Sequence, residues 1–84
     1  MPSIVPIIEI GPLYLVLCDY GRHGLSFYEA DPDKSDRETV IRWMKEGQYE
    51  NPKQVIEINL AAGTSRDVTQ EIFEEVEERA RAAA

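Results

Sequence analysis

The stretch Leu13–Ala30, LYLVLCDYGRHGLSFYEA, constrains the fold more than any other part of the chain, because its apolar residues run almost unbroken for six positions up to a turn flanked by Gly21 and Gly24. It reads as two strands of a hairpin. With the turn centred on Arg22 and His23, Tyr20 pairs with Leu25 and Cys18 with Phe27. Leu13, Leu15, Leu17, Ser26, Tyr28 and Ala30 then share one face, and Tyr14, Val16, Cys18, Tyr20, Leu25, Phe27 and Glu29 the other. A three-residue loop would shift this register by one.

Two helices and a third strand follow. Ser35 stands three residues before Glu38, the spacing of a capping box, and the helix it opens carries Val40, Ile41 and Met44 inward, with Trp43 at the margin. Glu38, Arg42 and Glu46 stand as opposite-charge neighbours one turn apart on its outside. Gly47 is its left-handed terminator. QVIEINLAAG is a strand in which Ile56, Ile58 and Leu60 alternate with polar residues. A last helix opens near Asp67, paired at capping spacing with Gln70, and presents Val68, Ile72, Phe73, Val76 and Ala80 as its apolar stripe.

The expected fold is α+β in the order β-β-α-β-α, with a small mixed sheet of three strands and two helices on one face. Residues 1–12 form an N-terminal arm or edge strand, which would make a fourth strand, and residues 13–82 a single domain. Pro6, Gly11 and Pro12 punctuate that arm, and proline cannot donate to a central ladder. The first strand is expected in the middle of the sheet. The helices are expected on the Leu13, Leu15, Leu17 face, because Ser26 and Ala30 leave room for them there.

That arrangement leaves Tyr14, Val16, Tyr20, Leu25 and Phe27 without cover, and these five are the expected interface. Tyrosine suits surfaces buried at one end and hydrated at the other. Two occupants remain open: the arm, whose Ile4, Val5, Ile7, Ile8 and Ile10 could complete an ordinary core, or a second copy.

The 84 residues hold 43% hydrophobic and 30% charged side chains, a folding composition despite a net charge of −7. That charge repels phosphate, so nucleic acid and anionic membrane are not expected partners. Five glutamates between Glu71 and Glu78 read as the solvated face of the last helix. No apolar run approaches the ~20 residues of a membrane helix, and the single cysteine, Cys18, fits a reducing compartment. A cytoplasmic location is expected.

Chemistry finds few footholds. A thiol is activated by an adjacent imidazole, but His23 at the turn tip lies several residues from Cys18 along the strand. One histidine with scattered carboxylates lacks metal-ligand spacing, and Asp31, Asp33 and Asp36 lack the glycine and glutamate of a calcium loop. No catalytic residue, metal or cofactor is expected, and the chain is read as a noncatalytic module. The alternative is a small-ligand or phosphate site at 63–67, where Gly63, Thr64, Ser65 and Arg66 would carry a strand through a loop into a helix start. Against it, only one glycine is present and Asp67 would repel the anion; a capping Asp in a strand-to-helix turn explains the same residues.

The leucine-rich tyrosine strand and DYGRHG turn from Leu13 to Gly24, the GQYENP segment from Gly47 to Pro52, and the RDV helix start from Arg66 to Val68 resemble those of a group of small uncharacterised bacterial proteins. The resemblance spans most of the chain after Gly11. It implies a bacterial soluble domain with no assigned activity, and no site to carry over. The chain departs from the group at Cys18 and Leu25, where the pattern implies polar residues. From the tyrosine-bearing face and the Ile-rich arm, the expected partner is a second copy, as a symmetric dimer, or another protein.

Overall fold

The computed structural model describes residues 11–82, and the expected N-terminal arm lies outside them except for Gly11 and Pro12. The fold is α+β. Strand β1 (Leu13–Asp19) leads through a single helical turn at Gly21–His23 into β2 (Leu25–Phe27). Helix α1 (Arg37–Lys45), strands β3 (Pro52–Asn59) and β4 (Thr64–Asp67), and helix α2 (Thr69–Ala82) follow. The sheet order is β2-β1-β3-β4, with the first strand inside as expected and every neighbouring pair antiparallel rather than mixed. The fourth described strand is Thr64–Asp67, four exposed polar residues with no apolar alternation to announce them.

The helices lie on the opposite face from the one expected. Along β1 the even residues Tyr14, Val16 and Cys18 are buried, whereas Leu13, Leu15 and Leu17 are only half-buried. Val55 of β3 joins the buried set, while its neighbours Ile56 and Ile58 do not. Both rows of β1 are apolar, so alternation alone does not choose between them. The choice follows from what meets each row: Val40 and Ile41 of α1 and Ile72 of α2 complete one core with Tyr14, Val16, Cys18 and Val55. Leu60, expected in that layer, falls in the turn after β3 and is 42% exposed.

The hairpin register also moves by one residue. Leu17 pairs with Phe27, Cys18 with Ser26 and Asp19 with Leu25, and the Tyr20 amide donates to the Gly24 carbonyl at 2.9 Å. The loop is thus the three residues Gly21, Arg22 and His23, and Leu25 and Phe27 fall on the Leu15 and Leu17 face.

Helix α1 is capped by Asp36 rather than Ser35: the Asp36 carboxylate accepts from the Thr39 amide at 3.0 Å and from its hydroxyl at 2.6 Å. These bonds hold the Asp36 carboxyl below its usual range. Ser35 is buried and spends its carbonyl on the Tyr14 amide at 2.8 Å, docking the loop against β1. At the other end the Gln48 amide reaches the Trp43 carbonyl and the Gly47 amide the Met44 carbonyl, with Gly47 at φ +77°. A Cβ at Gly47 meets no atom within 4 Å, so substitution there costs backbone strain alone. Gly47→Ala is expected to destabilise the fold by about 1 kcal/mol, a fall in Tm of roughly 4–8 °C read by thermal melting.

Ion pairs tie the helices together on their outer side. Arg79 of α2 bonds both carboxylate oxygens of Glu38, at 2.7 and 2.8 Å, and Glu75 at 3.2 Å. Arg37 of α1 approaches Glu75 at 3.6 Å. Glu38 therefore pairs across to α2 rather than along its own helix, and part of the acidic run is neutralised by arginine.

Candidate functional site

The covered side of the sheet is closed around polar groups that already satisfy one another. The Tyr14 hydroxyl donates to Glu57 at 2.7 Å, and Arg66 bridges Glu57 at 3.5 Å and Glu71 at 3.0 Å. Burial, reinforced by the Glu57 carboxylate, pushes the Tyr14 phenol up to about 12. Tyr49, buried against Tyr28 with ring centroids 5.0 Å apart, is also pushed up to about 12 by burial.

Of the five expected interface residues, Tyr14 and Val16 are in this core, and Tyr20 is half-buried against it. Their assignment to an open surface is corrected: Tyr14 and Val16 share a core with Val40, Ile41 and Ile72 of the helices, and Tyr20 packs against that core. Leu25 and Phe27 are exposed, at 61% and 44%, but on the other face.

There they complete a continuous apolar surface. Leu13 faces Ile58 across β1 and β3, Leu15 faces Ile56, and Leu17 lies between Gln54 and Phe27. Leu25 extends this row beside Asp19 at one end, and Ser65 and Asp67 of β4 bound it at the other. Among the described residues no helix covers this face. Its charged residues, Asp19 and Asp67, stand at the margins. The alternation that produces the surface was legible in the sequence; what sequence reasoning missed was that Leu13, Leu15, Leu17, Ile56 and Ile58 are its centre.

The loop at 63–67 has a different geometry from a strand-to-helix turn. Gly63, at φ +67°, turns β3 back into β4, so Thr64, Ser65 and Arg66 are strand residues and α2 begins only at Thr69. Asn59 accepts from the Ala62 amide at 3.0 Å and braces the turn. The Arg66 guanidinium is held by Glu57 and Glu71, and Asp67 accepts from the Thr69 amide and hydroxyl at 2.9 and 2.6 Å. Those bonds, with one from Gln54, bring the Asp67 carboxyl down to about 2. The four expected anion-site residues are therefore not gathered at a helix start, and the cation among them is already paired.

Cys18 is fully buried beneath the helices, and His23 is exposed in the hairpin turn. Among the described residues there is no cluster of three His, Cys, Asp or Glu side chains able to hold a metal ion. No described helix is long and apolar enough to cross a membrane. Two open depressions flank the Tyr28–Glu29 segment. One, of about 620 Å³, is lined by Tyr20, His23, Ser26, Phe27, Tyr28 and Glu29; the other, of about 420 Å³, by Tyr28, Glu29, Ala30, Asp31, Lys34 and Trp43.

Comparison with protein-family models, with curated proteins and with solved structures finds no match to this chain.

Proposed function

We propose that this chain is a noncatalytic interaction module that self-associates by burying, against a second copy, the sheet face that no described element covers. One observation carries the reading: Leu13, Leu15, Leu17, Ile56, Ile58 and Phe27 form a single apolar surface that no described element covers. Contiguous apolar patches of several hundred Å² are uncommon on soluble monomers and mark contact sites when they occur.

Charge favours a second copy placed on this face. Two chains of net charge −7 repel wherever their acidic surfaces approach. The centre of the sheet face carries no charge, so it is where two copies meet at least electrostatic cost. A self-complementary patch also closes on itself under two-fold symmetry.

Light scattering is expected to give a particle mass above that of one chain, rising with added salt as the repulsion is screened. Leu15→Asp, which places a charge in the middle of the face, is expected to at least halve that mass. Phe27→Asp does the same from an exposed position, where the fold tolerates a charge. A wild-type chain that stays monomeric at high concentration, or variants that associate unchanged, would overturn the reading. Deleting residues 1–10 tests the arm separately: loss of association on deletion adds that segment to the contact.

A further inference from the structure

We propose that β2 is a seam at which two copies join edge to edge, each β2 running antiparallel to the other about a two-fold axis at Ser26. The inference rests on the self-association reading and specifies where the copies first lock together.

The hydrogen-bond pattern dictates the register. The Tyr28 amide donates to the Val16 carbonyl at 2.8 Å and the Tyr20 amide to that of Gly24 at 2.9 Å, so the even residues of this hairpin bond within it. Leu25 and Phe27, being odd, turn their amides and carbonyls away from β1. Among the described residues β2 has no neighbour on that side, and the Phe27 carbonyl meets only the Ser26 hydroxyl, at a long 3.5 Å.

An axis at Ser26 sets Leu25 opposite Phe27 of the second copy, and Phe27 opposite its Leu25. Each pair exchanges two backbone hydrogen bonds, so the four groups of each edge that have no backbone partner among the described residues are satisfied together. The Leu25 and Phe27 side chains of both copies then lie side by side on one face, forming leucine–phenylalanine pairs across the seam. Glu29 of each copy then approaches the His23 turn of the other. The 620 Å³ depression lined by His23, Ser26, Phe27 and Glu29 gives the incoming strand room.

The two edges of the sheet differ in a way that selects β2. The outer strand β4 carries Arg66 and Asp67, charges of the kind that blunt an edge against pairing. From Gly24 to Tyr28 the other edge carries none.

Area supports the same arrangement. The four strands, of seven, three, eight and four residues at ~3.3 Å rise and ~4.8 Å spacing, offer about 350 Å² of flat face, against the ~800 Å² per partner of a standard interface. Joining two sheets at β2 doubles the face. Two such pairs stacked on their apolar faces close with four chains, the form in which both contacts are made.

Ser26→Cys tests the seam. Ser26 faces Ser26 of the second copy as a non-hydrogen-bonded pair, whose Cα atoms lie ~4.5 Å apart, within the range a disulfide spans. The residue is exposed, but it pairs with the chain's own cysteine, Cys18, across β1 and β2, so the cysteine variants are made in a Cys18→Ala background that rules out an internal disulfide. Under mild oxidation Ser26→Cys is expected to yield about tenfold more disulfide-linked dimer than Thr64→Cys on the opposite edge. Ser26→Lys, which sets two like charges at the axis, is expected to lower the particle mass without disturbing the circular dichroism of the fold. If the wild-type chain associates but Ser26→Cys links no better than Thr64→Cys, the seam is wrong and the sheet-face contact stands. If Ser26→Cys links efficiently while Leu15→Asp leaves the mass unchanged, the seam stands and the face contact falls.

Discussion

Ile41→Ala is expected to destabilise the fold by about 3–4 kcal/mol, the largest effect of any single truncation here. Ile41 is 0% exposed and sits where α1 meets the sheet, with Val16, Val55 and Ile72 in the same core. Alanine removes three carbons and leaves a cavity that neighbours on a sheet and a second helix close only in part. For a domain of this size each kcal/mol lowers Tm by roughly 4–8 °C, so the variant should melt more than about 12 °C below the wild type. A total stability of about 4–13 kcal/mol, scaled from the usual range per residue, makes that a large share of the whole. Chemical denaturation followed by circular dichroism measures it. A loss below about 1 kcal/mol would mean that α1 does not pack through Ile41.

The second large effect is expected in alkali. Tyr14 and Tyr49 ionise near 12 in the folded chain, against 10 for a free phenol. Between those values the unfolded chain has shed these protons and the folded chain still holds them. Stability is therefore fully present below pH 10 and declines as the pH climbs toward 12. The two tyrosines are 9% and 7% exposed, and each is expected to contribute on the order of 2 kcal/mol to the decline. Tyr14→Phe removes its share, because the hydroxyl donated to Glu57 is gone and phenylalanine does not titrate. Denaturant midpoints at pH 8, 10 and 12, for wild type and for Tyr14→Phe, decide the matter. Equal slopes for the two chains would show that the Tyr14 phenol is not held neutral by its surroundings.

Much of this architecture can be read from residue order, and the part that cannot has a definite physical origin. The helices are legible because Val40, Ile41 and Met44, and Ile72, Phe73 and Val76, recur at helical spacing. The central place of β1 follows from the connections. Which face of β1 is covered is not legible, since Tyr14, Val16 and Cys18 are as apolar as Leu13, Leu15 and Leu17. That decision lies in contacts with α1 and α2, which are distant in sequence. The hairpin compounds the ambiguity: Gly21 and Gly24 permit loops of two or three residues, and the third loop residue moves Leu25 and Phe27 from one face to the other. Strand β4 is invisible because Thr64–Asp67 buries nothing; it is a strand by virtue of its ladder to β3. The misassigned open face thus traces to one loop residue and to a choice of face that the strand's own residues do not make.

The position of Trp43 separates two events that are easily confused in a small protein, its folding and its proposed association. It is the chain's one tryptophan, and its ring lies 6.1 Å from Tyr28 and 6.2 Å from Tyr49, on the helix side of the sheet. Its emission, and the energy it collects from those two phenols, reports whether the helix is docked on the strands. The face that no described helix covers lies behind the sheet from this vantage. Dilution that parts the proposed face-to-face contact should leave the tryptophan spectrum unaltered while the scattering falls, and denaturant should change both. Fluorescence and scattering recorded on the same sample therefore give the chain separate optical channels for folding and for that contact.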